Sequence, residues 1–241
     1  FYIAVYGPTF YGIIHPTVPL TNTNWNHLSI LLSKNQNRVT LYINGAVYYN
    51  GTVAADTRSN QGGFLNIGRD NRDLYYFPGL LDDVRIYNRA LSIAEIQQLF
   101  KQGGGKINKT DTTKPTLKTG LVGHWTFDGA DMTNTTSTDK SGNGKDGTLT
   151  GGVSRKTGKI GQAAQFNGST SYISAGNVTS TDEMTISLWF KRSSIGTGST
   201  MVSEDAAVAG ATQILARFDP DSRFYIAVYG PTFYGIIHPT V

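Results

Sequence analysis

Hydrophobic and polar residues alternate along much of the chain with a period of two, which is the pattern of half-buried β-strands. The alternation is clear at residues 39–43 (VTLYI), 184–190 (MTISLWF) and 224–228 (FYIAV). Asn44-Gly45 follows the first of these runs and predicts a type I′ hairpin. Many short strands divided by Gly, Asn and Asp turns predict an all-β, antiparallel two-sheet sandwich.

One segment has a helical pattern instead, beginning at Ser92 and ending near Gln102. Ser92 can cap the first turn, and Glu95, three residues later, can complete a capping box. Gly103 suits a left-handed stop at the other end. The sequence therefore predicts a single short helix.

The chain repeats itself at long range, because residues 1–18 and 224–241 have the same sequence, FYIAVYGPTFYGIIHPTV. The period is 223 residues, from position 1 to position 224. Solenoid repeats are about 20–50 residues long, so this period is that of a whole domain. We expect the sequence to be a segment of a longer tandem array.

A polar segment rich in Gly, Lys and Thr, residues 104–119, follows the predicted helix and reads as a linker. Five lysines and one acid lie between Lys101 and Thr119, and they account for the net charge of +4. The rest of the chain sums to zero. No basic face for nucleic acid is predicted.

Composition supports an all-β fold, with 28 glycines and only 16% charged residues against a usual figure of about 25%. The chain has no cysteine, which excludes a disulfide framework and a thiol nucleophile. No run approaches the roughly 18 apolar residues of a membrane helix, so no membrane span is predicted within this sequence.

Four segments together resemble a known family. They are HWTFDG at 124–129, MTISLWFKR at 184–192, VTLYINGAVY at 39–48 and GLLDDVRIYNRALSIAEIQQLF at 79–100. Their order is similar to that of the laminin G-like, concanavalin A-like jelly roll common in large secreted proteins.

The resemblance implies a domain organisation. Residues 1–103 correspond to the C-terminal half of one laminin G-like domain, and residues 120–241 to the N-terminal half of the next. Residues 104–119 link them. The resemblance also implies an extracellular or cell-surface location.

The fold that this sequence resembles also occurs in glucanases, so a catalytic pair of carboxylates is a possibility to weigh. A retaining glycosidase needs two carboxyl groups about 5–5.5 Å apart. The chain has three glutamates: Glu95 in the predicted cap, Glu183 in a turn, and Glu204 directly before Asp205. Because no alternating run of acids is present, we expect no enzyme, and a degenerate glycoside hydrolase is the weakest reading.

The loop at residues 139–146 is one candidate for calcium, a structural cofactor. Asp139 and Asn143 stand at ligand positions of a calcium loop, but a threonine stands at position twelve in place of the bidentate Glu. A simple turn is the alternative. The resemblance implies a second site, with Asp128 and Asp83 on adjacent strands. For Asp83 the alternative is an ordinary ion pair with Arg85.

The loop at residues 69–77 combines charges with aromatic rings, the composition of a sugar-binding surface. The candidate ligand-binding residues are Arg69, Asp70, Arg72, Tyr75 and Tyr76. The same loop could instead contact the next domain. The N-glycosylation triplets, a weak signal, begin at Asn50, Asn108, Asn134, Asn167 and Asn177.

Repeated units joined by a linker provide multivalency and reach rather than turnover. The sequence thus favours a non-enzymatic structural or adhesive repeat of an extracellular fibre or cell-surface protein. The alternative is an array of carbohydrate-binding, lectin-like modules. The expected partners are neighbouring copies of the repeat and, in the alternative, glycans.

Overall fold

The computed structural model describes residues 13–14, 20–52, 63–70, 73–104, 116–178, 181–205 and 212–228. The segments before the linker are β1 (Ile13–Ile14), β2 (Asn26–Ser33), β3 (Arg38–Ile43), β4 (Ala46–Thr52), β5 (Gly63–Ile67), β6 (Pro78–Tyr87) and α1 (Ile93–Gln102). Those after it are β7 (Leu121–Trp125), β8 (Thr136–Ser137), β9 (Gly147–Thr150), β10 (Ser154–Thr157), β11 (Gln162–Asn167), β12 (Tyr172–Val178), β13 (Glu183–Arg192), β14 (Ser199–Asp205), β15 (Thr212–Phe218) and β16 (Phe224–Val228).

The strands form two antiparallel sheets. One sheet has the order β1-β16-β15-β14-β5-β12-β9-β8. The other has the order β10-β11-β6-β13-β2-β3-β4, with β7 also paired to β6. The predicted all-β jelly-roll sandwich is confirmed.

Strands from the two sides of the linker are interleaved in both sheets. In the first sheet β5 lies between β14 and β12, and in the second β13 lies between β6 and β2. Each half therefore provides a central strand for the other half. Since a sheet face must be buried against a partner, the two halves complete one hydrophobic core together.

Strand β13 shows why an alternating sequence can be buried on both faces. Met184, Ile186, Leu188 and Phe190 enter the main core between the sheets. The opposite face carries Thr185, Ser187 and Trp189, and these side chains are buried as well. Helix α1 covers that face, and the ring of Phe100 stacks on Trp189 at 5.7 Å. This helix and the outer face form a second cluster centred on Tyr42, Tyr87, Leu91, Ile96 and Leu99.

The predicted helix start is confirmed. Ser92 is the N-cap, and its side chain and that of Glu95 form both bonds of the capping box. At the other end α1 does stop at Gly103, as predicted, but the predicted left-handed conformation is wrong, because Gly103 has φ −80°. A glycine stands there because an added Cβ would overlap the indole of Trp189.

The predicted hairpin between β3 and β4 is confirmed by left-handed backbone at Asn44 (φ 52°) and Gly45 (φ 77°). Asn44 also accepts a hydrogen bond from the His27 backbone N–H at 2.9 Å. This hairpin is therefore tied to the neighbouring strand β2.

Candidate functional site

Strand β6 changes its neighbour halfway along one edge. Residues 78–81 pair with β11, and residues 84–87 pair with β7. Asp82 and Asp83 lie at the change, beside Asp128, which follows β7. We call this junction of Asp82, Asp83 and Asp128 the seam.

Asp83 is held by Arg85 and His124. Its backbone is left-handed, with φ 51°, at an irregular register against β13. Its Oδ1 accepts a hydrogen bond from Arg85 Nη2 at 3.1 Å and lies 2.6 Å from His124 Nε2. Burial raises the pKa of Asp83, but Arg85 and His124 outweigh burial and lower it. The ion pair with Arg85 is thus present.

Asp82 has a different environment, although it is the adjacent residue. Its Oδ2 accepts hydrogen bonds from the backbone N–H groups of Lys159 (2.7 Å) and Ile160 (2.8 Å). Its Oδ1 is buried and has no hydrogen-bond partner within the part of the chain that the structure describes. Burial raises the pKa of Asp82 to about 7, and the nearby charges of Asp83 and Asp128 add to the effect.

The loop at residues 158–162 closes the seam. The Gln162 backbone N–H donates to Asp128 Oδ1 at 2.6 Å. Gly161 is left-handed, with φ 60°, and an added Cβ there would overlap the Asp128 carboxylate. The same loop therefore binds both Asp82 and Asp128 through backbone amides.

These contacts bear on which residues fit calcium. Asp83 already pairs with Arg85 and lies against His124, which makes it a poor ligand for a cation. Asp82 and Asp128 fit better, since one buried carboxylate oxygen of Asp82 has no described partner. Among the described residues, no group of three or more His, Cys, Asp or Glu side chains could hold a metal. The calcium site stays a prediction.

The Asp139 loop is braced by hydrogen-bond donors. Asp139 Oδ1 accepts from the backbone N–H groups of His124 (2.9 Å) and Ser141 (2.8 Å), and Oδ2 accepts from that of Lys145 (3.0 Å). Burial opposes ionisation, but these donors hold the pKa of Asp139 below its usual range. Asn143 Nδ2 donates to two carbonyls of β7, at 3.0 and 3.1 Å. The arrangement is that of a turn anchored to β7.

The predicted sugar-binding residues are partly used for packing. Arg69 Cζ lies 3.5 Å from the centre of the Tyr172 ring, and Arg69 also pairs with Asp73. Asp70 is buried and accepts a hydrogen bond from the Leu74 backbone N–H at 2.8 Å. These two residues shape the loop.

The two tyrosines of that loop differ in how far neighbouring side chains already cover them. The guanidinium of Arg217 lies 4.3 Å from the centre of the Tyr75 ring, so one face of this ring is already covered. The Tyr76 hydroxyl donates to Asp73 at 3.4 Å, and its side chain is half-buried. Tyr76 is thus the better ligand candidate. Arg72 lies outside the described residues.

A polar groove of about 570 Å³ lies beside the seam. Thr133, Asn134, Arg155 and Gln162 are among its lining residues. Sequence reasoning missed this groove, because its walls come from segments that only the fold brings together.

Four of the acceptor asparagines are exposed, at Asn50, Asn134, Asn167 and Asn177. Asn167 already serves a turn, since its Oδ1 accepts from three backbone N–H groups at residues 169–171. Asn108 lies outside the described residues.

The sandwich, its strand order and the one α-helix among the described residues define a lectin-like jelly roll. Residues 1–97 match a laminin G-like family model, described as the concanavalin A-like lectin/glucanases superfamily. The predicted resemblance is therefore confirmed for residues 1–97, which are similar to that superfamily. No curated protein and no solved structure matches the chain. No helix in the described part is long and apolar enough to cross a bilayer.

Proposed function

We propose that the chain is a non-enzymatic structural or adhesive repeat of an extracellular fibre or cell-surface protein. The observation that carries this proposal is the 18-residue repeat, combined with two complementary half-sandwiches joined by a linker. In a tandem array with this period, every half meets identical partners. The chain is then suited to assembly and to multivalent contact.

The linker supports close neighbours. A flexible segment of about 15 residues spans roughly 20 Å on average, which is less than the width of a sandwich domain. Neighbouring domains of an array must therefore nearly touch, and residues 104–119 would join one domain to the next. A contact that repeats without closing generates a helical filament.

The acids support a non-catalytic role. Glu95 binds Arg89 and the helix cap, and Glu183 accepts a hydrogen bond from Ser33 at 2.6 Å. Glu204 is fully buried. Each of the three glutamates is therefore either held by hydrogen bonds to neighbouring side chains or buried in the fold.

Direct imaging of purified chains carrying several repeats tests the proposal. We expect ordered filaments in which the domain spacing is constant, and a single-unit chain as control should show isolated particles. Flexible beads with uncorrelated orientations would contradict the fibre. Shortening the linker within residues 106–119 should disturb filament order while near-ultraviolet circular dichroism still reports a folded sandwich.

A carbohydrate-binding module is the second candidate, favoured by the superfamily and by the polar groove. A glycan array tests it. Binding that is lost in Arg155→Ala would place the sugar in the groove, and binding lost in Tyr76→Ala would place it on the loop. Absence of any glycan signal with the wild-type chain would leave the fibre role alone.

Structural calcium belongs to the same proposal. Asp82 and Asp128 would hold the ion, which would link β6 to the segment after β7. Calcium would stabilise the folded state by mass action. We expect calcium to raise Tm and a chelator to reverse the rise, with Asp128→Asn insensitive to both. A melting curve that calcium and the chelator leave unchanged would contradict a calcium site at Asp82 and Asp128.

A further inference from the structure

One end of the sandwich holds a buried arginine. Arg192 is the last residue of β13, and it lies on the same face of that strand as Leu188 and Phe190, which enter the core. Its side chain is 1% exposed, and its guanidinium carbon lies 4.0 Å from the centre of the Phe218 ring. Since Phe218 belongs to β15 in the first sheet and Arg192 to the second sheet, this guanidinium lies between the two sheets.

Only one guanidinium nitrogen of Arg192 has a partner in the part of the chain that the structure describes. Nη2 donates to the Leu20 carbonyl, whereas Nε and Nη1 are buried without a hydrogen-bond partner. Buried arginines are almost always paired, because an isolated charge loses its hydration and gains nothing in return. An arginine does not avoid this cost by losing its proton.

Two other largely buried arginines have the carboxylate that Arg192 lacks among the described residues. Arg217 Nη2 lies 2.9 Å from Asp219 Oδ1, and Arg85 Nη2 lies 3.1 Å from Asp83 Oδ1. The charge of Asp83 outweighs burial and raises the pKa of Arg85, whereas burial lowers the pKa of Arg192. The environment of Arg192 is therefore that of a guanidinium without its counter-ion.

A second buried donor lies beside the same aromatic ring. Ser199 is the first residue of β14 and stands directly opposite Phe218 in the antiparallel ladder, so both side chains point toward the core. The Ser199 side chain is 1% exposed, and its Oγ has no hydrogen-bond partner among the described residues. Arg192 and Ser199 thus place unused N–H and O–H groups from both sheets around the Phe218 ring.

We propose that Arg192 and Ser199 bind one small monovalent anion between the two sheets. A carboxylate is the favoured class, because charge-assisted hydrogen bonds from a guanidinium to a carboxylate are short and strong. The anion would do for Arg192 what Asp219 does for Arg217, and it would join a strand of one sheet to a strand of the other. The proposal does not depend on the fibre role, the polar groove or the calcium site.

Thermal melting of the full chain at constant ionic strength tests the site. Sodium formate or sodium chloride replaces a sodium salt of a bulky sulfonate. We expect Tm to rise and then to level off, because the anion binds the folded state only. The rise should be roughly 5 °C at about a hundred times the dissociation constant. A larger response to formate than to chloride would assign the site to carboxylates, and the reverse order would assign it to a halide.

Substitutions attribute the response to named side chains. Arg192→Met removes the charge and keeps a long side chain beside Phe218. We expect its Tm to be independent of formate and, without a small anion, to exceed that of the wild type, because the unpaired charge is gone. Ser199→Ala should bind formate several-fold more weakly. Arg38→Met is the matched control and should keep the full response, since Arg38 is only partly buried and bonds to Asn50.

Bromide gives a direct readout that needs no variant, and it decides the question even if Arg192→Met fails to fold. Crystals of the chain grown in sodium bromide should show an anomalous-scattering peak within hydrogen-bond distance of Arg192 Nε or Nη1.

The proposal is overturned if neither anion produces a saturating rise in Tm, or if Arg192→Met responds as the wild type does. Ordered water at Nε and Nη1, without an anomalous peak, would also overturn it. None of these results would bear on the imaging of multi-repeat filaments.

Discussion

Two junctions close the sandwich, and they differ in how they are built. At the first, which we call the corner, α1 and β7 meet β6, and a capping box, the Arg89–Glu95 ion pair and the Trp189–Phe100 stack hold it. At the second, the edge formed by β15, β16 and β1, the buried side chains of Phe218, Phe224 and Ile226 lie near a buried ion pair between Arg217 and Asp219. The corner residues occur once in the sequence, whereas the edge strand occurs twice. A corner residue therefore has no identical segment elsewhere in this sequence that could replace it, and single substitutions there should show their full effect.

The largest expected effect is that of Trp189→Ala. Trp189 packs against Phe100 and His27 (5.0 Å between rings), and no second copy of it exists in this sequence. Removing a large buried aromatic side chain destabilises by about 3–5 kcal/mol. Urea unfolding measures this loss. Phe64→Ala is the control, because Phe64 is 62% exposed and should change stability by less than about 0.5 kcal/mol. A small loss at Trp189 would remove the contrast between corner and edge.

Asp82→Asn should produce a pH-dependent effect. The pKa of Asp82 is about 7 in the folded protein against 3.8 for the free side chain, so the folded state binds the extra proton between these values. Stability from this group is present below about pH 4 and is lost as pH rises through 7. Since Asn does not titrate, the variant should gain about 2–4 kcal/mol over the wild type between pH 4 and pH 8. Chemical unfolding at the two pH values measures the gain.

A second buried group, His27, should make stability depend on pH in the opposite direction. Burial lowers the pKa of His27 to about 3 from 6.5, so the unfolded state binds the extra proton and stability falls as pH drops from 6.5 to 3. Asp82 and His27 therefore partly cancel in the wild type. The free energy of unfolding could instead differ between Asp82→Asn and the wild type by the same amount at all pH values. That result would show that Asp82 stays ionised in the folded state.

Gly103→Ala tests the close contact that ends α1. The backbone at Gly103 is right-handed, so alanine has no φ penalty there, and the loss must come from overlap with Trp189. Overpacking of this kind destabilises by about 1–3 kcal/mol. Gly104→Ala is the matched control, since an added Cβ there approaches only a carbonyl oxygen, at 3.5 Å. Thermal melting of the two variants makes the comparison, and equal losses would attribute the effect to glycine removal alone.

Glu95→Gln should have the smallest effect at the corner. The hydrogen bond from Arg89 lowers the pKa of Glu95 to about 2, although burial opposes it. The stabilisation is present above about pH 4.5 and is lost as pH falls toward 2. We expect a loss of about 1–2 kcal/mol at pH 7 and none at pH 2, measured by urea unfolding. An equal loss at both pH values would contradict a charge-dependent cap.

Local patterns predicted the elements well, for physical reasons. The cap at Ser92 and Glu95, the turn at Asn44-Gly45 and the alternating strands depend on residues a few positions apart. Sequence reasoning did not find the insertion of β5 between β14 and β12, because such pairing depends on segments far apart in the chain.

The site was less predictable. The sequence singled out Asp83 at the seam. The backbone at Asp83 is left-handed, and its carboxylate contacts Arg85 and His124, whereas its neighbour Asp82 lies beside Asp128. The sequence also singled out Tyr75 as a ligand-binding residue, yet Arg217 covers one face of its ring. The sequence indicated Arg85 as an alternative partner of Asp83, but no spacing pattern indicates His124 or Arg217, which lie far from Asp83 and Tyr75 in the chain.

The position of the linker ends has a mechanical consequence. Helix α1 ends against Trp189, and β7 begins beside Asn88, whose N–H donates to the Gly120 carbonyl at 2.9 Å. The linker thus leaves at the end of α1, beside Trp189, and enters near Asn88 and Arg89, close to the start of α1. In an array pulled from its ends, tension would reach each domain at the first residues of β7 and at the end of α1. Force would then separate β7 from β6 one residue pair after another, beginning at Leu121 and Tyr87, before the core is stretched.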